Sequence, residues 1–279
     1  MRKLTAIIAA ALSMVACSKD MSEAIGCKLD IHVDWVRGSK AQFTITSSDK
    51  NACYVYGRIN STHPYFSLPD EDLIEFQLGW MEKEYQDKLA EGSIANFADL
   101  FAVKGTRTLR ETQLADDMDW AFIVFQINPD THKAIGPLHK EYFHTLPIPK
   151  VDLSFTIEHS GDAMRIIPSN DRDTWFWEYE SWQRMAGVYG SPYYFYYTLL
   201  DMYDQYGFLY SQLCHGEEEW VFSRDDRSIK EDETYTMCIS GCADGEITTE
   251  VFYLDFTIHE GVVLFENSYY QDVEIREGK

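Results

Sequence analysis

One segment occurs twice in this chain, and its repetition limits the possible folds more than any other feature of the sequence. In the first copy, Leu114 precedes Trp120 by six positions, and the tryptophan opens an apolar, strand-like run. In the second copy, Ile229 precedes Tyr235 by the same six positions, and the tyrosine opens a similar run. A turn and a further strand pattern follow each run, so the segment predicts the same pair of strands in two places.

A helical pattern repeats at nearly the same period. Apolar residues in steps of four, three and four predict one face of a helix in each half of the chain. The first face is Ile74, Leu78, Met81, Tyr85 and Leu89, and the second, 121 positions later, is Phe195, Leu199, Met202 and Tyr206. The strand pattern at residues 54–56 recurs at residues 175–177 with the same offset, whereas Trp120 and Tyr235 are 115 positions apart. Two matches at nearly one period indicate an internal duplication.

Start and stop signals delimit the two predicted helices. Ser67 is predicted to cap the first helix, with Pro69 in its first turn and Gly92 at its end. Ser191 is predicted to cap the second helix, which Gly207 ends. Segments that alternate apolar and polar residues precede each helix, so both halves are expected to be mainly β with one helical excursion.

The spacing from Leu114 to Trp120 and from Ile229 to Tyr235 resembles the tyrosine corner of fibronectin type III domains. In that family the aromatic ring braces the crossover between two sheets. About seven short strand patterns per copy, separated by turn signals, also suggest a two-sheet sandwich. An indole has no phenolic hydroxyl, so we expect the Trp120 corner to be held by packing or by the indole N–H. As a whole, the chain resembles two-module, fibronectin-III-like lipoproteins of Bacteroidetes.

The expected fold is therefore mainly β: two tandem fibronectin-III/Ig-like β-sandwiches, each with a helical insertion after its third strand. Residues 147–149 form a stiff, proline-bounded link and mark the predicted domain boundary. The predicted organisation is a signal peptide at 1–16, a tether at 17–26, a first domain at 27–147 with a helical insert at about 68–101, and a second domain at 148–279 with an insert at about 189–212.

The N-terminus carries the pattern of an export signal. Arg2 and Lys3 precede a mostly apolar run that is too short to span a bilayer and that ends in small residues before Cys17. This pattern resembles the lipobox of bacterial lipoproteins, and the following residues 18–20 resemble the Lys-plus-acid signal of surface lipoproteins in Bacteroidetes. The resemblance implies cleavage before Cys17, its acylation, and attachment to the outer membrane at the cell surface. The alternative is an ordinary secretory signal cut near Ala16.

Charge and motif content narrow the function classes. The chain carries 46 acidic and 24 basic residues, for a net charge of −22, which argues against binding nucleic acid or docking electrostatically on anionic lipid. The sequence has no glycine-rich phosphate loop, no Gly-x-Ser-x-Gly elbow and no His-Glu-x-x-His motif. We therefore expect no cofactor, no metal site and no catalytic residue, and the partner is expected to be a glycan or a protein.

The five cysteines that follow Cys17 leave several possibilities open. Cys27 and Cys53 could meet as a disulfide, Cys238 and Cys242 could close a turn, or all five could be small buried residues. A metal site at Cys238 and Cys242 would need a second ligand pair, for which His215 is the candidate in that half of the chain.

The second half is unusually rich in aromatic residues, which suggests a recognition surface. The candidate residues for this surface are Trp182, Tyr189, Tyr193, Tyr194, Tyr196 and Tyr197. The alternative is that these rings form core and the interface between the two copies.

Three functional hypotheses follow. The first is a binding or adhesion module for a glycan or protein. The second is a structural subunit of a surface appendage, which would need an exchangeable edge strand and has a candidate at residues 261–275. The third is a hydrolase, which would need two carboxylates, or a nucleophile and a histidine, to converge in a cleft.

Overall fold

The computed structural model describes residues 27–93, 95–226, 228–266 and 270–278. The predicted signal peptide, the tether and Cys17 lie outside the described residues. The chain divides into two units, the first ending at Pro147 and the second beginning at Ile148. Within the described residues, no helix is both long and apolar enough to cross a bilayer.

The first unit contains seven strands among its described residues, with its helices between the third and fourth. The strands are β1 (Leu29–Val36), β2 (Ala41–Ser47), β3 (Cys53–Asn60), β4 (Val103–Lys104), β5 (Arg107–Glu111), β6 (Asp119–Ile127) and β7 (Ala134–His144). A 3-10 turn (Pro64–Ser67), helix α1 (Asp70–Ala90) and helix α2 (Phe97–Phe101) follow β3.

These strands form two sheets that pack face to face. One sheet has the order β1-β2-β5 and the other β4-β3-β6-β7, and all pairs are antiparallel. The rings of Phe43 and Phe122 stack across the space between the sheets, with centroids 4.1 Å apart. Leu73 and Met81 of α1 pack on the opposite face of the second sheet. The unit is thus a sandwich with a helix as a third layer.

The second unit repeats this arrangement. Its strands are β8 (Phe155–Ser160), β9 (Ala163–Pro168), β10 (Trp175–Ser181), β11 (Glu218–Val221), β12 (Thr234–Ala243), β13 (Glu246–Ile247), β14 (Phe252–His259), β15 (Val262–Phe265) and β16 (Val273–Glu277). Its helices are α3 (Trp182–Arg184), a π-helical turn (Met185–Tyr189), α4 (Pro192–Gln205), α5 (Leu209–Gln212) and α6 (Phe222–Asp225).

The two sheets of the second unit have the orders β11-β9-β8-β16 and β10-β12-β14-β15, and β13 also pairs with β12. Phe195 and Leu200 of α4 lie in a cluster with Phe176 on the outer face of the second sheet. The segment at 261–275, which was expected to provide an edge strand, supplies β15 to one sheet and β16 to the other. Strand β16 runs parallel to β8, whereas the remaining strand pairs of this unit are antiparallel.

Strand registers reproduce both sequence offsets. Tyr54 of β3 pairs with Gln126 of β6, and Trp175 of β10 pairs with Gly241 of β12. The first members of these pairs are 121 positions apart and the second members 115, as in the sequence repeat. The duplicated pattern therefore corresponds to two sandwiches that share six strands in the same order, β1-β2-β5 with β3-β6-β7 and β8-β9-β11 with β10-β12-β14, each with its helix after the third strand.

Burial on both faces explains the continuous apolar runs at the centre of each unit. Strand β12 is buried from Tyr235 to Cys242, and β6 is buried along most of its length, because a sheet covers one face and a helix the other. Strand β2 alternates between buried and half-buried positions because it has only one covered face. The period of the sequence pattern thus reports how many faces of a strand are covered.

The two corners have equivalent hydrogen bonds of opposite polarity. The indole N–H of Trp120 donates to the carbonyl oxygen of Ala115 at 3.3 Å. In the second unit, the hydroxyl of Tyr235 accepts from the backbone N–H of Lys230 at 3.0 Å. Both backbone partners lie five positions before the ring. Of the two expected ways of holding the first corner, packing or the indole N–H, the hydrogen bond of the indole N–H is present.

Three details of the sequence interpretation were wrong. Ser67 does not cap α1 but ends the preceding 3-10 turn, and Pro69 precedes the helix without a side-chain cap. Leu89 is exposed, and Leu73 is buried in its place on the inner face of α1. On α4, Met202 and Tyr206 are exposed, because the buried stripe runs instead through Phe195, Tyr196 and Leu200.

None of the five described cysteines is part of a disulfide. The possible disulfide between Cys27 and Cys53 is not formed, and neither is a link between Cys238 and Cys242. The last two lie on one strand four positions apart, a separation along extended backbone that is too long for a disulfide. Cys53, Cys238 and Cys242 are buried, in agreement with the reading of cysteine as a small core residue.

Candidate functional site

Tyr196 does not belong to a recognition surface, contrary to the sequence prediction. Its side chain is 0% exposed, and its hydroxyl donates to the carbonyl oxygen of Phe176 at 2.9 Å. The same hydroxyl lies 2.8 Å from Oγ of Ser240. Tyr196 is therefore a core residue that joins α4 to strands β10 and β12.

The other predicted rings divide into exposed and half-buried groups. Trp182, Tyr193 and Tyr194 are exposed. Tyr197 is half-buried, with its ring centroid 4.3 Å from that of Tyr193. Tyr189 is also half-buried and meets Phe195 edge to face. This unit also contains a cavity, which is lined by residues outside α4. None of those residues was among the predicted surface residues.

That cavity, of about 310 Å³, lies along the free edge of β10. It is lined by residues 177–179 of β10, by residues 211–215, and by Glu218 and Trp220 of β11. Its volume falls at the lower end of the range of small-ligand sites. Because β10 and β11 are edge strands of opposite sheets, the cavity lies where the sandwich is open at its side.

Aromatic rings form one wall of this pocket. Trp177 and Tyr179 are on the same face of β10, nearly parallel, with centroids 5.9 Å apart. The ring of Trp220 meets Trp177 edge to face at 5.4 Å. The alternation of side chains along a strand places the two β10 rings on one face. The packing of the two sheets against each other brings the ring of Trp220 to them.

The opposite wall is fixed to the sheet by hydrogen bonds. Cys214 and Trp175 exchange two backbone hydrogen bonds, at 2.8 and 3.2 Å. The indole N–H of Trp175 also donates to the carbonyl oxygen of Gly216 at 3.1 Å. The buried Trp175 thereby holds the 211–216 segment against the edge of β10, so the pocket is formed without a ligand.

Two glutamates at the pocket differ in environment, because Glu178 lies on the face of β10 opposite to Trp177 and Tyr179 and contacts α4. Burial raises the pKa of Glu178, and the hydroxyl of Tyr203 donates to its Oε1 at 3.1 Å. Glu218 is half-buried on β11. Burial, and then the nearby charge of Glu218, raises the pKa of the Cys214 thiol to about 12. The thiol therefore stays protonated at neutral pH and is a poor nucleophile.

Three further rings are exposed just before the pocket-lining segment. Tyr206, Phe208 and Tyr210 all point to solvent, and Tyr210 is 75% exposed. Leu209 between them is buried and anchors the segment. The exposed rings thus extend the aromatic character of the pocket along the chain.

Sequence reasoning missed this pocket because its walls come from three separate segments. The aromatic run at 175–177 was noticed, but nothing local in the sequence indicates that Trp220 meets it. Among the residues described, no group of three or more His, Cys, Asp or Glu side chains is placed to hold a metal ion.

No protein-family model and no curated protein matches the chain. Among solved structures, the chain is similar to the FN1–FN3 domains of chicken CNTN1, with 8% identity and a TM-score of 0.27 over 89% of this chain and 66% of that one. It is also similar to the central fibronectin-III array of RIM-binding protein, with 9% identity and a TM-score of 0.22 over 88% of this chain and 65% of that one. The chain thus spans just under two thirds of the length of each structure. The strand order and the buried faces described above define the fibronectin-III/Ig-like sandwich independently of these similarities.

Proposed function

We propose that this chain is a non-enzymatic binding module of the cell envelope, anchored through an acylated Cys17, whose second unit binds a glycan in the pocket beside β10. The observation that carries the proposal is the convergence of Trp177, Tyr179 and Trp220 with the carboxylate of Glu218. Aromatic faces offer apolar area to the C–H faces of a sugar ring, and carboxylates accept hydrogen bonds from its hydroxyls.

The preformed pocket supports binding rather than a large rearrangement. The 211–216 segment is held by backbone hydrogen bonds to Trp175, so few groups need to be ordered when a ligand arrives. Preorganisation of this kind lowers the entropic cost of binding. Tyr210, next to the lining residue Ser211, is placed to extend the contact along a longer glycan.

The test uses the protein from residue 18 onward on a glycan array, followed by titration of the best ligand. Gln212 and His215 are exposed lining residues, so their replacement by alanine should leave the fold intact and weaken binding. Trp220→Ala should abolish binding. The matched control is Trp80→Ala, which removes an exposed tryptophan of the first unit and should leave binding unchanged.

An array without ligands, or equal binding by the Gln212→Ala/His215→Ala variant and the parent, would contradict the proposal. Anchoring is tested separately. Cys17→Ser should release the protein from the membrane fraction, and mass spectrometry should find an acylated N-terminal cysteine only in the parent.

A structural subunit remains the second candidate because of β16. This C-terminal strand is added to the edge of the β8 sheet in parallel and buries Val273. An edge strand at the end of a chain can pair with another copy. If assembly depends on it, removal of residues 271–279 should leave a monomer by light scattering under conditions in which the full chain oligomerises.

A further inference from the structure

A second cavity, of about 630 Å³, lies in the first unit between α1 and the turn that joins β6 to β7. Half-buried Ile74, Leu78 and Ala134 form its floor and pack on the core below. Exposed Glu71 and Glu75 stand at its rim. Its volume is in the range of small-ligand sites, and an apolar floor with a charged rim suits an amphipathic ligand.

His132 fixes the wall of this groove that faces the helix. Its imidazole stacks on Phe97 at 4.1 Å, and its Nδ1 lies 2.9 Å from Oε2 of Glu82. The hydrogen bond from Gln86, and then that from His132, lowers the pKa of Glu82, so this carboxylate is ionised at neutral pH. The contacts join the turn to α1, and the groove is therefore present without a ligand.

Gly79 leaves open space above the helix inside the groove. It lies in the middle of α1 and lines the groove, and a Cβ added there would meet no atom within 4 Å. Glycine inside a helix lowers helix stability relative to alanine. No neighbouring atom of the protein fills this space, so an external group has room to approach the backbone of α1 at this position.

The lining of the groove carries three carboxylates and the ammonium group of Lys133, so its net charge is negative. Glu71, Glu75 and Glu82 share one helix face because they are separated by steps of four and seven residues. Along the helix axis these steps correspond to about 6 and about 10 Å. Within the described part of the chain, neither Glu71 nor Glu75 has an ion pair or hydrogen bond to its side chain.

We propose that this groove binds an aliphatic diamine or polyamine. The methylene chain lies on Ile74 and Leu78 and crosses the backbone at Gly79, and successive ammonium groups pair with Glu71, Glu75 and Glu82. A single amine satisfies one carboxylate and leaves most of the apolar floor uncovered. Affinity is therefore expected to rise from butylamine to putrescine to spermidine.

The test is calorimetric titration of the protein from residue 18 onward with these three amines at constant ionic strength. Because the whole chain is acidic, the experiment must separate the groove from general attraction of cations. Glu71→Gln/Glu75→Gln removes two charges at the groove. The matched control Asp30→Asn/Glu84→Gln removes two charges of the same unit that do not line it.

A third variant, Gly79→Leu, fills the groove without changing its charge. It should fold as well as the parent, because leucine is a better helix former and the added atoms enter open space. We expect both groove variants to bind spermidine about tenfold more weakly, because exposed ion pairs and apolar contacts each contribute modestly. The control variant should bind within about twofold of the parent.

If Glu71→Gln/Glu75→Gln and the control Asp30→Asn/Glu84→Gln weaken spermidine binding equally, the attraction is general to the acidic chain and the proposal is overturned. Unchanged binding by Gly79→Leu would overturn it as well, since the ligand would then lie elsewhere. Absence of saturable spermidine binding to the parent would also refute it. None of these outcomes depends on the glycan pocket, which is in the other unit.

Discussion

Tyr196 offers the sharpest test of the three-layer architecture, because its hydroxyl joins the helix layer to the sheet. The hydroxyl is buried, donates to the carbonyl oxygen of Phe176 and contacts Oγ of Ser240. Tyr196→Phe removes only this oxygen. The loss of about one net hydrogen bond and the desolvated acceptor left behind should together cost about 1.5–3 kcal/mol in the free energy of unfolding.

The assay is urea unfolding of the second unit, from residue 148 onward or within the longer chain, followed by tryptophan fluorescence and far-UV circular dichroism. Chains of two units commonly unfold in separate transitions, so the transition that Tyr196→Phe moves identifies the second unit. Tyr194→Phe is the matched control: it removes the same oxygen from an exposed neighbour on α4 and should change stability by less than about 0.5 kcal/mol.

A double-mutant cycle with Ser240→Ala separates the contributions. Ser240 also donates to the carbonyl oxygen of Gly241, so it retains a partner when Tyr196 loses its hydroxyl. We expect a coupling energy of about 0.5–1.5 kcal/mol between the two residues. A Tyr196→Phe variant as stable as the Tyr194→Phe control would refute the view that this hydroxyl joins the layers.

Three further predictions test the corner, the pocket carboxylate and the groove. Tyr235→Phe should lower the free energy of unfolding by about 1 kcal/mol in equilibrium denaturation, because the backbone N–H of Lys230 loses its acceptor. An unchanged free energy of unfolding would contradict a stabilising role for this hydrogen bond in the corner. Glu178→Gln should stabilise the protein at neutral pH in thermal melts. Burial raises the pKa of Glu178 in the folded state above its ordinary value of 4.5. The contribution of its protonated side chain to stability is therefore fully present below that pH and is lost as the pH rises and the side chain ionises. The gain in stability from glutamine should vanish in melts below pH 4.5. Gly79→Ala should stabilise the first unit by about 0.5–1 kcal/mol in urea unfolding, and destabilisation would show that the glycine serves the fold.

Much of the architecture could be predicted from local pattern. Strands with one covered face alternate, the central strands read as continuous apolar runs, and Ser191 and Gly207 mark the ends of α4. The six-residue spacing before Trp120 and Tyr235 identified both corners. These signals are local because they follow from side-chain periodicity and backbone conformation, which neighbouring residues determine.

The candidate sites could not be predicted in the same way. The second helix is aromatic on several faces, so hydropathy could not tell that Tyr196 is buried and Tyr194 exposed; the position of the sheet beneath α4 decided it. The pocket beside β10 depends on Trp220 reaching Trp177 across two edge strands. Contacts between residues this far apart in the chain leave no periodic pattern in the sequence.

The sequence by itself determined that this protein is a duplicated, mainly β chain with one helix in each half, because periodic patterns report which faces of an element are covered. Only the tertiary structure decided which rings became core and which line a cavity. An aromatic side chain is compatible with either environment, and the packing of distant segments determines which one it enters.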